Sequence, residues 1–181
     1  MATTLQQLAQ FLDHRQWRYR VDPAESRILT GVKAEYVDPF VIVLRLSEQG
    51  EFLQFQAPQI LMVPDSVYKG PLLQTMAHIQ YQVKMLRLEY DPTDGEIRAS
   101  IELPLEDAPL TERQFNRCLE GLVHLVDQEA MPRLKAVLAT GEDPGRKALA
   151  QRLMADMPTE LMGLLEEMVD LHQRQRLADE R

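Results

Sequence analysis

Two pairs of alternating segments, each joined by turn-forming residues, constrain this chain more than any other feature. FVIVLRL at 40–46 runs through Gln49-Gly50 into FLQFQA at 52–57, and MLRLEY at 85–90 runs through Asp91-Pro92-Thr93-Asp94-Gly95 into EIRASIEL at 96–103. Alternation with a period of two sends successive side chains to opposite faces of a strand, and Asp, Pro and Gly meet the dihedral needs of the turns between. Each pair is expected to be an antiparallel hairpin. The segment from Arg27 to Tyr36, ended by a turn at Asp38-Pro39, adds a third strand before the first pair. Because Val41, Ile42, Val43 and Leu44 make the central strand apolar on both faces, part of its second face is expected to lie under a helix or a partner.

Helical periodicity fills the gaps between the strands. Leu5, Leu8, Phe11 and Leu12 share one face of a helix over residues 4–16, with Thr3 or Thr4 as N-cap and Trp17 at its close. A second helix carries Leu72, Leu73, Met76, Ile79 and Val83; a third opens at Thr111-Glu112 and carries Phe115, Leu119, Leu122, Val123 and Val126, until Pro132 kinks or restarts it. After the break TGEDPGRK at 140–147, residues 147–156 and 159–177 again have helical character. The expected fold class is α+β, an antiparallel sheet packed with helices in the order α-β-β-β-α-β-β-α, followed by a C-terminal helical extension. The expected division is a domain at 1–140 and the extension at 141–181.

Composition narrows the function classes. The chain has 181 residues, 45% of them hydrophobic, and a net charge of −8 from 20 basic and 28 acidic side chains. That apolar share is enough for a core, while the acidic balance argues against a broad nucleic-acid footprint or an anionic membrane surface. The lone Cys118 excludes an intrachain disulfide and a cysteine-rich metal motif, and is expected to be a buried or half-buried helical thiol. With no basic head and apolar run at the N-terminus, and no membrane-length apolar stretch, a cytoplasmic location is expected.

No motif announces catalysis. Neither GxGxxG nor GxxxxGK[ST] is present, and Gly141, Gly145 and Lys147 have the wrong spacing for a phosphate loop. His124 shares a helical face with Glu120 and Asp127, but a third ligand is missing; His78, beside Gln80 and Gln82, is expected to cap or to face solvent. DPTDGE has the opening of a calcium loop without its sixth-position glycine, so a tight turn accounts for it better. Arg15, Arg18, Arg20 and Arg27 cluster loosely with Trp17 and Tyr19. They form either a small phosphate or acidic-peptide patch or simply a solvated face, and the shortness of the run favours the solvated face. No catalytic residue, metal site or cofactor is expected.

The early helix, FVIVLRL with FLQFQA, PLLQTMAHIQ, LRLEYDPTDGEIRASIELPL and LTERQFNRCLEGLVHLV together resemble the YbjN family and the related type III secretion chaperone-like fold, over residues 4–138. Members of this group are widespread in bacteria, including cyanobacteria. The resemblance implies a peptide-binding, chaperone-like scaffold, commonly homodimeric, that holds a client segment on apolar surfaces. Val41, Val43, Leu53 and Phe55 are the candidate sheet contacts, and Met154, Met157, Met162 and Met168 the adaptable contacts on the tail. The expected function is therefore a non-enzymatic protein- or peptide-binding scaffold, with a protein client and no nucleic acid. Its rivals are a structural subunit of a larger complex and an enzyme assembled around His78 and His124.

Overall fold

The computed structural model describes residues 2–106, 108–145, 163 and 168, and divides the chain into two compact units, Met1–Asp143 and Pro144–Arg181. In the second unit Pro144, Gly145, Gly163 and Met168 are helical. The first unit contains helix α1 (Leu5–His14), strands β1 (Tyr19–Asp22), β2 (Arg27–Val32), β3 (Phe40–Ser47) and β4 (Phe52–Met62), helix α2 (Lys69–Gln82), strands β5 (Arg87–Tyr90) and β6 (Glu96–Pro104), and helices α3 (Glu112–His124) and α4 (Met131–Thr140). The fold is α+β, with one antiparallel sheet in the order β1-β2-β3-β4-β6-β5.

The structure adds β1 to the three strands expected before α2. Tyr19 and Val21 alternate with Arg20 and Asp22, and β1 pairs with β2 from Tyr19↔Thr30 to Asp22↔Arg27. The buried Thr30 hydroxyl donates to the Arg18 carbonyl at 2.8 Å, fixing the entry of the strand. Arginines that look like one solvated cluster in the sequence are therefore divided among the end of α1 (Arg15), the connection after it (Arg18) and two strands (Arg20 and Arg27).

The core lies on one side of the sheet. Ile28, Ile42, Leu44, Leu53, Phe55, Ala99 and Ile101 point inward from the strands and meet Leu8 and Leu12 of α1, Leu72 and Ile79 of α2, Phe115 and Leu122 of α3, and Leu134 and Val137 of α4 in one buried cluster. All four helices thus share one face, and the opposite face carries none of them. Phe115 links the layers, its ring 5.4 Å from Phe55 and 5.3 Å from Phe11. Gly50, at the β3–β4 turn, adopts φ +97° and lies against the backbone of Thr3, where a Cβ would stand 2.3 Å from the Thr3 carbonyl oxygen. Only glycine fits there, and its carbonyl accepts the Thr3 N–H at 3.1 Å, tying the N-terminal segment to the turn.

Local chemistry sets the helix boundaries. Thr4 caps α1 by accepting the Gln7 N–H, and Thr111 forms a reciprocal capping box with Gln114 at the start of α3. Pro132 restarts the long C-terminal helix as expected, and the structure shows how. Residues Leu125–Ala130 form a π-helical segment, after which Pro132 occupies the first turn of α4. Proline in a helix interior removes one hydrogen bond and collides with the carbonyl four residues earlier; the wider segment just before it absorbs that conflict.

Candidate functional site

Strand register places the sheet face opposite α1–α4 in rows. One row runs Arg20, Leu29, Val43, Gln56, Ser100, Arg87 across all six strands, and its neighbour runs Asp22, Arg27, Arg45, Gln54, Glu102. Gly31 and Val41 form the next pair beyond Leu29 and Val43. The two halves of this face differ in charge. On β5 and β6 every outward arginine has a carboxylate: Arg87 bonds to Glu102 and Glu89, and Arg98 to Glu89 at 3.0 Å. The Glu89 hydrogen bond holds the Arg98 guanidinium above its ordinary pKa. On β1 to β3 the outward charges are Arg20, Arg27 and Arg45 against the single carboxylate of Asp22, which accepts Arg27 Nε at 3.0 Å.

The four expected sheet contacts divide by the same register. Val41 and Val43 lie on the face opposite α1–α4; Val41 is 46% exposed, and Val43 is buried but stands apart from the helix-side core. Leu53 and Phe55 face the other way and are completely buried beneath the helices. They are core residues, because Phe55 pairs with Leu44 and Ile101 on the inward face and its ring is covered by Phe115. Of the tail contacts, Met168 is 65% exposed, while Met154, Met157 and Met162 lie outside the described residues.

A second apolar feature arises from Pro58. Pairing between β3 and β4 runs from Ser47↔Phe52 only to Val43↔Gln56, and β4 shifts register against β6 between Ala57 and Leu61. Proline has no N–H for the ladder, and Gln59 adopts φ +49° within the bulge. The two strands part there, beside a groove of about 330 Å³ lined by Val37, Phe40, Leu61, Met62, Val126 and Met131 among others. Met62 on its rim is 47% exposed.

With this geometry in hand, comparison with known proteins gives a fold and no more. No family model matches the chain, and no curated protein matches it. In fold, the chain is similar to YbjN. That E. coli protein, described as a proposed transcription regulator, superposes with a TM-score of 0.54 at 17% identity, covering 72% of this chain and 92% of its own. The HopA1-SchA chaperone-effector complex gives 0.45 at 16% identity, covering 65% of this chain and 84% of the matched one. At these identities the YbjN likeness speaks for architecture alone.

The histidines and buried carboxylates enter separate clusters. Arg133 of α4 donates to both carboxylate oxygens of Asp143, at 2.9 and 2.6 Å, and to Gln82 at 2.8 Å; His78 Nδ1 lies 3.2 Å from the same guanidinium and 3.4 Å from Asp143. With Arg133 and Asp143 side chains only 11% and 6% exposed, this bidentate pair binds α2 and α4 to the chain end of the first unit. His124 instead lies on the outer surface of α3, beside a shallow depression shared with Glu120 and Asn116. Asp127 does not share that surface. It is buried in the π-helical segment and accepts the backbone N–H groups of Glu35, Tyr36 and Val37 at 3.0, 2.9 and 3.1 Å. The helical spacing that joins it to His124 in the sequence fails because the turn between them is wider than an α-helical one. Cys118 is buried in α3, and desolvation raises its thiol pKa. Among the described residues, no group of three His, Cys, Asp or Glu side chains is arranged to hold a metal ion, and no helix is long and apolar enough to cross a membrane.

Proposed function

We propose that the first unit is a non-enzymatic scaffold that binds a segment of another protein on the face of its sheet opposite α1–α4. The observation that carries this reading is the outward face of β3. An interior strand that directs Val41 and Val43 away from α1–α4, beside Leu29 of β2, is apolar where a sheet open to water on one side ordinarily alternates to polar residues, and Val41 is 46% exposed there although Val43 is already buried. Burying such surface is worth about 25 cal/mol per Å² before the costs of ordering. The short edge strand β1 adds a backbone row that pairs with no strand among the described residues, to which an extended segment can add. The fold likeness to YbjN fits a scaffold of this kind, and binding needs no bond-making group.

The test begins with gentle isolation of the tagged full-length chain and continues with reconstitution of the recovered pair from pure components. Hydrogen exchange is then compared between free and bound chain. The expected result is added protection of amides in β1, β2 and β3. Protection confined to α1 and α3, at a fixed stoichiometry, would replace this reading with that of a structural subunit held by its helical side.

A further inference from the structure

We propose that the basic half of the sheet face opposite α1–α4 docks an acidic segment of a partner protein in which carboxylates are spaced by apolar side chains. This rests on the protein-binding reading above and adds the chemistry of the partner. Arg27 and Arg45 stand directly opposite each other on β2 and β3. Like charges in that relation repel across a sheet, and Asp22 reaches Arg27 alone. Neither Arg20 nor Arg45 has a carboxylate partner among the described residues, whereas Arg87 and Arg98 on the other half of the same face are both paired. Between the unpaired arginines lie Leu29 and Val43, with Val41 one pair further on. A segment lying there places carboxylates on Arg20 and Arg45 and apolar groups on the strip between them, relieving the repulsion and covering the exposed valine.

The same face argues for a peptide over a polynucleotide. A duplex repeats its charge every ~1.7 Å along its axis and offers no apolar side chains for the valine strip. It would also run from the basic half onto Glu89, Glu96 and Glu102, in a chain whose net charge is already −8. An acidic segment needs only the narrow basic half.

Fluorescence anisotropy of the full-length chain tests this with a short labelled peptide of alternating glutamate and valine, and its glutamine-valine counterpart. The glutamate peptide is expected to bind, to weaken as salt rises, and to lose about tenfold in affinity in each of Arg20→Gln and Arg45→Gln, because each variant removes one charge-assisted contact. Arg87→Gln on the paired half leaves binding unchanged. Urea midpoints confirm that all three surface variants are folded. Equal binding of the two peptides, lost in Val41→Asp, overturns the acidic partner while keeping the protein-binding reading; binding of neither peptide overturns the proposal. So does tighter binding of a short DNA duplex on the same arginines, or self-association of the chain that Arg45→Gln abolishes, which would assign the face to a second copy.

Discussion

Arg45 is a residue whose cost to the free protein and use to a bound one have opposite signs. It stands opposite Arg27 in the β2–β3 register, with Gln54 as its cross-strand neighbour on β4. Replacing it with glutamine removes a like-charge pair, so Arg45→Gln should raise stability by about 0.5 kcal/mol, read as a higher urea midpoint at low salt and a smaller gain at high salt. A second residue-scale effect belongs to Asp91. Its carboxylate accepts the Thr93 N–H at 2.8 Å in the β5–β6 turn, and that hydrogen bond lowers its pKa below the ordinary carboxylate value. The stabilisation is fully present above about pH 4, the unfolded carboxylate range, and is lost as pH falls through the lower folded value. Asp91→Ala should therefore be less stable than the parent at neutral pH and show a flatter loss of stability below about pH 4, measured as urea midpoints across that range. The turn is legible in the sequence because Asp91, Pro92 and Gly95 act through local dihedrals. The opposition of Arg27 and Arg45 is not, because it depends on a register fixed by the whole sheet.

At the scale of elements, the two hairpins and the capped helices are legible because their signals lie within a few residues of each other. Strand β1 escapes because four residues are too few to establish a period, and Arg20 stands out as part of a charge cluster rather than, with Asp22, as the outward half of an alternation. Leu53 and Phe55 alternate as clearly as Val41 and Val43, yet alternation alone does not say which face the helices cover. Asp127 is missed for a different reason: α-helical spacing places it beside His124, whereas the π-helical segment before Pro132 turns it into the loop between β2 and β3. That carboxylate is the sole side chain seen accepting the Glu35, Tyr36 and Val37 amides among the described residues. Asp127→Ala leaves those donors without their acceptor and should cost about 3 kcal/mol, given the penalty for hydrogen bonds lost to a buried charged group. Urea denaturation measures the loss, and faster hydrogen exchange at 35–37 should locate it. A loss spread evenly over the sheet would mean that Asp127 supports the core rather than the loop.

At the scale of the whole molecule, the boundary between the two compact units falls immediately after Asp143, the residue clamped by Arg133. Helix α4 ends at Gly141, whose φ of +79° lets the chain turn back against the Tyr68 ring, so close that a Cβ would stand 2.6 Å from Tyr68 Cε1. Two residues later the carboxylate enters the Arg133, His78 and Gln82 cluster. The first unit is thus closed by a charge at its own end. Removing one partner of a buried ion pair leaves the other desolvated and uncompensated, which costs roughly 3–5 kcal/mol. A chain ending at residue 145 should therefore unfold cooperatively, while one ending at residue 142 should lose about 3 kcal/mol relative to it, since Arg133 is left without Asp143. Arg133→Met in the longer fragment separates charge from packing: it should lose more than Arg133→Met placed in the shorter fragment, where the guanidinium has already lost the Asp143 carboxylate. Urea midpoints of the four proteins form a complete cycle. Equal effects of the substitution in both fragments would show that Asp143 and Arg133 act independently, and that the unit is closed by Gly141 and Tyr68 instead.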